Sequence, residues 1–175
     1  MSDAVVSGLD WTAPEGAILQ RVRDVLMRAG QPALVRRVGV AKDLAVLQET
    51  ALELPAAYVI YAQPRLVEAT ATRAIWRHVW NIVVIVRLAI AQAQAAAADT
   101  HTHMLHQEAV PVVLAVSQAL HGWSPGVLGF GPLVPEQGPP VAYSDLGNAY
   151  VTLRFSSQAV SSAQPGINPM AGKPR

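Results

Sequence analysis

The residues WRHVWNIVVIVRLAI, at positions 76–90, restrict the fold more than any other part of this sequence. A helix that crosses a membrane needs about 20 mainly apolar residues. Here the apolar run Ile82–Val86 ends at Arg87, and Gln92 and Gln94 follow within a few positions. The stretch is therefore not expected to span a membrane.

The same stretch alternates as a β-strand does, with successive side chains pointing to opposite faces. One face is almost wholly apolar, whereas the other mixes apolar groups with Arg77, Asn81 and Arg87. At about 3.3 Å per residue the stretch would be roughly 50 Å long, while ordinary strands have about 5–6 residues. We therefore predict that part of this strand projects beyond its own sheet, where something else covers it. The apolar face consists of Trp76, His78, Trp80, Ile82, Val84, Val86, Leu88 and Ile90.

The composition indicates a chain that is partly covered by other subunits. Of its 175 residues, 51% are hydrophobic and 14% are charged, against an average of about 25% charged residues in globular proteins. A monomer with so few charges would expose much apolar surface to water. The 13 basic residues include only two lysines, Lys42 and Lys173, and arginine is the basic residue that protein interfaces favour.

Charge and cysteine content exclude several classes of function. A net charge of +1 produces no strong field that would attract nucleic acid or an anionic membrane. Without cysteine there are no disulfides and no thiolate metal sites, and the cytosol is the natural default compartment. The first residues, MSDAVVSGLDW, lack the basic region and apolar core of a signal peptide, so none is expected.

Two amphipathic helices are predicted from the spacing of apolar residues. The first covers residues 14–29, and Gly30 suits its stop. The second has its body at about 104–120 and ends at Gly122; Pro111 should kink it or mark its true start. The predicted buried stripes are Ile18, Val22, Val25, Leu26 and Ala29 in the first helix, and Leu105, Ala109, Val112, Val113, Val116 and Leu120 in the second.

Short strands are predicted around the long one. Alternation and bounding turn residues favour strands at 33–40 and 56–62, and a hairpin at 141–157 that turns at Asp145–Asn148. The segment 41–54 fits either a short helix or an irregular chain.

Two segments are predicted to be connections. Residues 63–74 join the strand at 56–62 to the long strand, and residues 122–140 contain glycine and proline throughout. The order of elements predicts an α+β domain. Helices pack on one face of a largely antiparallel, mixed sheet, with the apolar face of residues 76–90 beneath them.

The C-terminal residues are predicted to form a separate segment. Residues 1–157 would make a single α+β domain and residues 158–175, QAVSSAQPGINPMAGKPR, an extended C-terminal arm. The arm is too small and polar to offset its ordering entropy, about 1–2 kcal/mol per residue for the backbone. We expect it to be either disordered or laid on a neighbouring protein, with Ile167 and Met170 as apolar anchors.

A histidine cluster is the best candidate for a metal site. The sequence HTHMLH brings together His101, His103 and His106, and histidine is a common zinc ligand. On a helix, however, residues 103 and 106 are neighbours while residue 101 points elsewhere, and no acidic residue or cysteine stands at matching spacing. A polar helix entrance explains the cluster more simply, so no metal or cofactor is predicted.

No catalytic signature is visible. The sequence GFG at 129–131 lacks the lysine and the context of a phosphate loop, and no serine stands in a GxSxG setting. Asp145 suits the turn that contains it. Trp76 and Trp80, on an apolar strand face, fit core or interface positions better than a ligand-stacking site. The sequence therefore predicts a protein that is not an enzyme.

Four segments, taken in order, resemble a known family. LPAAYVIYAQ, WNIVVIVRLA, VSQALHGWSP and YSDLGNAYVTLRFSS are similar to the tail terminator proteins of long-tailed bacteriophages, also known as tail-tube completion or minor tail proteins. The similarity covers most of residues 14–157. It lies in the order of elements and in the AL-x-GW-x-P loop, and not in any active-site motif.

The resemblance implies a structural role in the virion. Members of this family are small α+β proteins that form a ring, commonly of six copies, which caps the tail tube, ends its polymerisation and offers a surface to the head–neck complex. The implied partners are copies of the chain itself, the tail tube protein and the head–tail connector or neck proteins. No membrane or sequence-specific nucleic acid is implied. The implied location is the virion tail or neck, after assembly in the host cytoplasm.

Candidate interface residues follow from the strand and the arm. We expect Trp80 and Ile82 to be in the core, and Trp76, Arg77 and Arg87 to lie at or near a contact between subunits. Ile167 and Met170 would anchor the arm on an adjacent subunit or an adjoining tail or neck protein. Two alternatives stay open: another neck or head-completion protein, and a metal-binding protein that uses the histidine cluster.

Overall fold

The computed structural model describes residues 12–46, 51–87 and 98–162, and of these the side chains of 44–46, 98–106 and 162 lie outside the description. The described chain contains three helices and six strands. In chain order they are α1 (Ala13–Leu26), β1 (Arg37–Val40), α2 (Ala41–Val46), β2 (Ala56–Ala69), β3 (Arg73–Arg87), α3 (Ala98–Leu120), β4 (Val134–Glu136), β5 (Ala142–Tyr143) and β6 (Asn148–Ser162).

One mixed sheet contains all six strands. Its order is β1-β2-β3-β6-β4, and β5 also pairs with β6. β1 is parallel to β2, and every other pairing is antiparallel. The buried side chains of α1 and α3 form one core with one face of this sheet. The predicted α+β class, with a largely antiparallel mixed sheet, is confirmed.

The apolar face predicted for β3 lies in the core. Trp80, Ile82, Val84 and Val86 are fully buried, as expected for alternate positions of a strand covered on one face. They share this core with Ile18, Val22 and Leu26 of α1 and with Ala109, Val112, Val116 and Leu120 of α3. The core positions of Trp80 and Ile82 and most of both helix stripes were therefore predicted correctly. Val25 and Val113 are only half-buried, Ala29 is exposed beyond the end of α1, and the side chain of Leu105 lies outside the described residues.

A glycine in the left-handed region follows the end of each long helix. Gly122, two residues after the end of α3, has φ 75°, and Gly30, four residues after the end of α1, has φ 80°, a conformation that only glycine adopts readily. The first helix ends at Leu26, three residues earlier than predicted. α3 runs through Pro111, so this proline does not mark the start of the helix.

From Arg73 to Arg87, β3 does not project beyond its sheet, so the predicted overhang is wrong for these residues, while residues 88–90 lie outside the described residues. Each of its residues from Arg73 to Arg87 pairs with β6, whose residues 148–162 form an equally long strand. On its other side β3 pairs with β2 over most of its length. The three strands form a long ribbon, and its end around residues 65–73 is exposed to solvent.

The predicted connection 63–74 is mostly strand. β2 continues to Ala69 and the chain turns directly into β3. Register shifts between Tyr61 and Gln63 and between Leu66 and Glu68 reset the alternation of its side chains, as β-bulges do. Beyond Val59, where the pairing with β1 stops, no described strand pairs with the outer edge of β2.

β6 also extends past its predicted end. It continues to Ser162, and Gln158 pairs with Arg77 while Ala159 pairs with Trp76. The boundary predicted at residue 157 therefore falls inside a strand. Residues 163–175, which include the proposed anchors Ile167 and Met170, lie outside the described residues.

The predicted loop 122–140 contains a short edge strand. Val134–Glu136 pairs with β6, and the chain then crosses close over that strand. A Cβ atom on Gly138 would lie 2.3 Å from the carbonyl oxygen of Thr152, so only glycine fits at this crossing. This loop thus fixes Glu136 against the sheet.

A second, smaller core lies on the opposite face of the sheet. Leu52, Ala56, Tyr58 and Ile85 are buried there, and the ring of Tyr58 lies close to Gly39. Burial raises the pKa of the Tyr58 hydroxyl above 10.0. The segment around Leu52 therefore covers the base of this face, near the start of β2. Among the described helices, none is long and apolar enough to cross a membrane.

Candidate interaction surface

The middle of the sheet has a face that the helices leave uncovered. We call it the open face; it lies opposite α1 and α3 and carries the odd-numbered positions of β3. Arg65 of β2 pairs directly with Arg77 of β3, and Arg154 of β6 pairs with Asn81. Directly paired residues of antiparallel strands have their side chains on the same face, so the middle of the open face brings together Arg65, Arg77 and Arg154.

Glu136 brings a negative charge to this group. Nε of Arg77 donates a hydrogen bond of 2.8 Å to Oε1 of Glu136, and Nη2 of the same guanidinium contacts the same oxygen. The hydrogen bond from Arg77 holds the pKa of Glu136 below 4.5, although partial burial acts in the opposite direction. This is the one ion pair between residues that the structure describes.

Of the other two arginines, only Arg154 has a hydrogen-bond partner among the described residues. Nε of Arg154 donates a hydrogen bond of 3.2 Å to Oδ1 of Asn81. Arg65 is exposed and has no hydrogen bond or ion pair within the described part of the chain. Like charges directly opposite on paired strands destabilise the pairing. The open face therefore carries positive charge that Glu136 alone does not balance.

These side chains surround a cavity of about 180 Å³, which we call the arginine pocket. A wider depression of about 510 Å³ shares Arg77 with it and includes Val67 and Val134, both about half exposed. Arginine mixed with apolar groups is typical of protein–protein interfaces. The arginine pocket is lined by Ala62, Gln63, Arg65, Arg77, Val79, Glu136 and Arg154.

The interface candidates from the sequence are distributed along β3. Trp76 is half-buried, and its Nε1 donates a hydrogen bond of 3.2 Å to Oγ of Ser161. Arg77 lies in the arginine pocket, while Arg87 is exposed at the far end of the strand, opposite Asn148. The two arginines share a face but are ten positions apart, about 33 Å along a strand.

The histidine cluster predicted as a candidate metal site belongs to α3. His101, His103 and His106 occur in the first turns of α3, but their side chains lie outside the described residues. Among the residues that the structure does describe, no group of three metal-ligating side chains comes together.

Three residues of the pocket were missed at the level of sequence. Arg65 falls in the segment expected to be a connection, and Glu136 falls in the loop rich in glycine and proline. Arg154 was placed correctly on an alternating strand, but nothing in the sequence indicates that it faces Asn81. The arginines on the second face of the long strand were the available signal, because arginine is enriched at protein interfaces.

A protruding turn joins β5 to β6 at the base of the sheet. Oγ of Ser144 accepts a hydrogen bond of 3.3 Å from the amide of Asn148, the carbonyl of Ser144 accepts one of 3.0 Å from the amide of Gly147, and Gly147 has φ 76°. Asp145, predicted to serve the turn, is exposed and makes no hydrogen bond to the described residues. Beside it, Tyr143 is 59% exposed and Leu146 is 51% exposed.

Comparisons with known proteins give one family. The family model described as "Phage tail terminator protein" matches residues 16–164. Among solved structures, a chain of the "Virion of native gene transfer agent (GTA) particle" is similar, with 20% identity and a TM-score of 0.47; the alignment covers 90% of this chain and 99% of that chain. A search of curated proteins returns no match.

Proposed function

Because the chain belongs to the phage tail terminator family, we propose that it forms a ring that caps the tail tube, ends tube polymerisation and presents a surface for head–neck joining. Membership of the family makes the chain a structural component of a phage-type tail. The ring, its six copies, its cap function and its contacts with tube and neck proteins constitute the proposal.

The open face is the observation that carries this proposal. It presents three arginines and one glutamate beside half-exposed valines, on three strands that pair with one another over most of their length. A partner that brings apolar groups and negative charge to such a surface would bind it favourably. The low content of charged residues, 14%, favours the same conclusion, since a subunit in a ring leaves less of its surface in water.

The tube and the neck would meet different sides of the ring. The exposed end of the ribbon around residues 65–73 is one surface for such contacts, and Arg87 at the opposite end of β3 is another. Residues 163–175 would act as the arm proposed from the sequence, laid across an adjacent subunit or an adjoining tail or neck protein. The place of action is the virion tail, after assembly in the host cytoplasm.

Assembly in vitro tests the proposal. Purified tail tube protein is allowed to polymerise with and without the chain, and the tubes are measured by electron microscopy. We expect tubes of limited length that end in a ring. Light scattering should show that the chain is a multimer, either alone or in the presence of tubes. Tubes that grow to the same lengths without caps, together with a chain that stays monomeric, would contradict the proposed function.

A second measurement separates the tail from the head side. If purified chain binds isolated heads or connectors and ignores tube ends, the protein acts as a neck or head-completion protein instead. Binding to tube ends first, followed by heads, is the order expected of a terminator.

A further inference from the structure

The arginine pocket has the character of a carboxylate site. Arg65, Arg77 and Arg154 contribute three positive charges, and Glu136 contributes one negative charge. Guanidinium groups are planar and bind carboxylates through paired hydrogen bonds. Arg65 is exposed and without a described partner, so at least one such group is free to receive an acidic side chain.

The charge pattern favours a single carboxylate over nucleic acid. A protein that binds DNA or RNA spreads many basic residues along a groove to contact successive phosphates. Here three arginines surround one cavity instead of lining a groove, and the net charge of the whole chain is only +1. One acidic side chain would match the positive charge of the arginines. Apolar neighbours of that side chain would pack against the half-exposed Val67 and Val134 at the rim.

The β5–β6 turn has the matching chemistry. Asp145 is exposed at its tip, between Tyr143 and Leu146, which are also exposed. Ser144 and Gly147 make the turn, so Asp145 is not needed for its shape. An acidic residue between two exposed apolar side chains at a protruding turn is complementary to an arginine pocket with apolar groups at its rim.

The turn of one chain does not reach the pocket of the same chain. The turn lies beside Asn148, which pairs with Arg87, whereas the pocket lies around Arg77. Ten residues of β3 separate these positions, roughly 33 Å. The two surfaces are therefore different patches of one subunit, and a contact between them joins copies head to tail, which closes into a ring when the rotation allows.

We propose that the Asp145 turn of one copy docks on the open face of the next copy, with the Asp145 carboxylate in the arginine pocket. This inference rests on the proposed function, because it names the contact that would build the ring. Arg65 is the pocket residue that receives the carboxylate, while Glu136 keeps Arg77 in place.

Charge reversal tests the contact in the full chain. Arg65→Glu and Asp145→Arg should each weaken self-association at least tenfold, measured by sedimentation velocity over a concentration series. The double variant with both changes should recover association to within about threefold of wild type, because each contact again joins opposite charges. Two matched controls, Arg28→Glu and Glu108→Arg, change the net charge equally at exposed positions, one just after α1 and one on α3, and should associate as wild type does.

Each outcome decides between the two proposals. Wild-type rings that cap tubes, combined with normal association of both single variants, would overturn the docking contact and leave the proposed function standing. A double variant that stays as weak as the single ones would also overturn the docking contact. A wild-type chain that is monomeric alone and on tubes would overturn both. Binding of a fluorescent DNA duplex that is lost only in Arg65→Glu, with association unchanged, would assign the pocket to nucleic acid instead.

Discussion

The hydroxyl of Tyr61 lies 2.9 Å from Nδ1 of His78, on the helix-covered face of the sheet. His78 is fully buried, and the rings of Trp80 and Phe130 pack against it. Burial lowers the pKa of His78 below its usual 6.5 and raises the pKa of Tyr61 above 10.0. A neutral imidazole and a neutral phenol therefore share this hydrogen bond at physiological pH.

Acidification should destabilise the fold through His78. Above pH 6.5 the ring is neutral in both the folded and the unfolded chain, so its contribution does not change with pH. Below 6.5 the unfolded chain takes up a proton that the folded chain resists, and the free energy of unfolding falls as the pH falls. Urea unfolding from pH 7 to about 5 measures this dependence. His78→Phe should reduce the slope, His121→Phe at an exposed position should not, and equal slopes in all three proteins would contradict the expectation.

Trp80→Ala should cost about 3–5 kcal/mol of unfolding free energy, because it removes a fully buried indole and leaves a cavity. Chemical denaturation followed by circular dichroism measures the loss. Leu128→Ala is the matched control, since Leu128 is 93% exposed and its replacement should change stability by less than about 0.5 kcal/mol. A Trp80→Ala loss as small as that of the control would place the indole outside the core.

Glu136→Gln should remove the counter-charge of the arginine pocket. We expect a loss of about 1 kcal/mol at neutral pH and low salt, at the upper end for a solvent-screened pair. The folded pKa of Glu136 is depressed, so its stabilisation is present above pH 4.5 and is lost as the pH falls below it. Thermal unfolding at neutral and acidic pH checks this, with Glu108→Gln as the exposed control. A variant that loses as much stability in acid as wild type does would argue against the ion pair.

Two truncations should separate the strand from the arm. A chain ending at Ser157 loses residues 158–162, which pair with β3 and include the buried Ala159, so it should be less stable. A chain ending at Ser162 keeps the whole strand and should unfold at the wild-type temperature, while its assemblies are weaker or fail to join heads. Calorimetry and infectivity measure the two effects. Full infectivity of the chain ending at Ser162 would refute the role of the arm.

Arg87→Glu should leave the monomer folded and impair ring formation. Arg87 is exposed at the end of β3, so charge reversal there changes little within the chain. Electron microscopy of the purified variant, beside Arg28→Glu as a control, shows whether rings form. Normal rings from the variant would remove Arg87 from the subunit interface.

The predictable parts of the fold are those in which apolar residues recur at an uninterrupted strand or helix spacing. The alternation of Trp80, Ile82, Val84 and Val86 identified the buried face of β3, and helical spacing identified Ile18 in α1. Both patterns are long enough to reflect burial on one side of an element. The class of the fold followed from the order of these elements.

The extension of β2 was missed because its pattern is interrupted. Pro64 and two register shifts break the alternation, so the segment resembled a connection. The arginine pocket depends on that register, since only the shift after Tyr61 brings Arg65 opposite Arg77. Cross-strand register depends on how strands pair and on the turns that join them. The alternation of residues within one strand does not indicate it.

In the proposed ring, the interrupted edge of β2 would also affect how subunits meet. Pro64 has no N–H to offer, and bulges twist a strand away from a flat template, so copies would pair poorly through their backbones. Joining would then rely on side-chain contacts such as charge pairs, which dissociate readily. A subunit bound in a wrong orientation would leave and bind again. A ring built in this way would correct its errors, where edge-to-edge pairing of sheets would trap them.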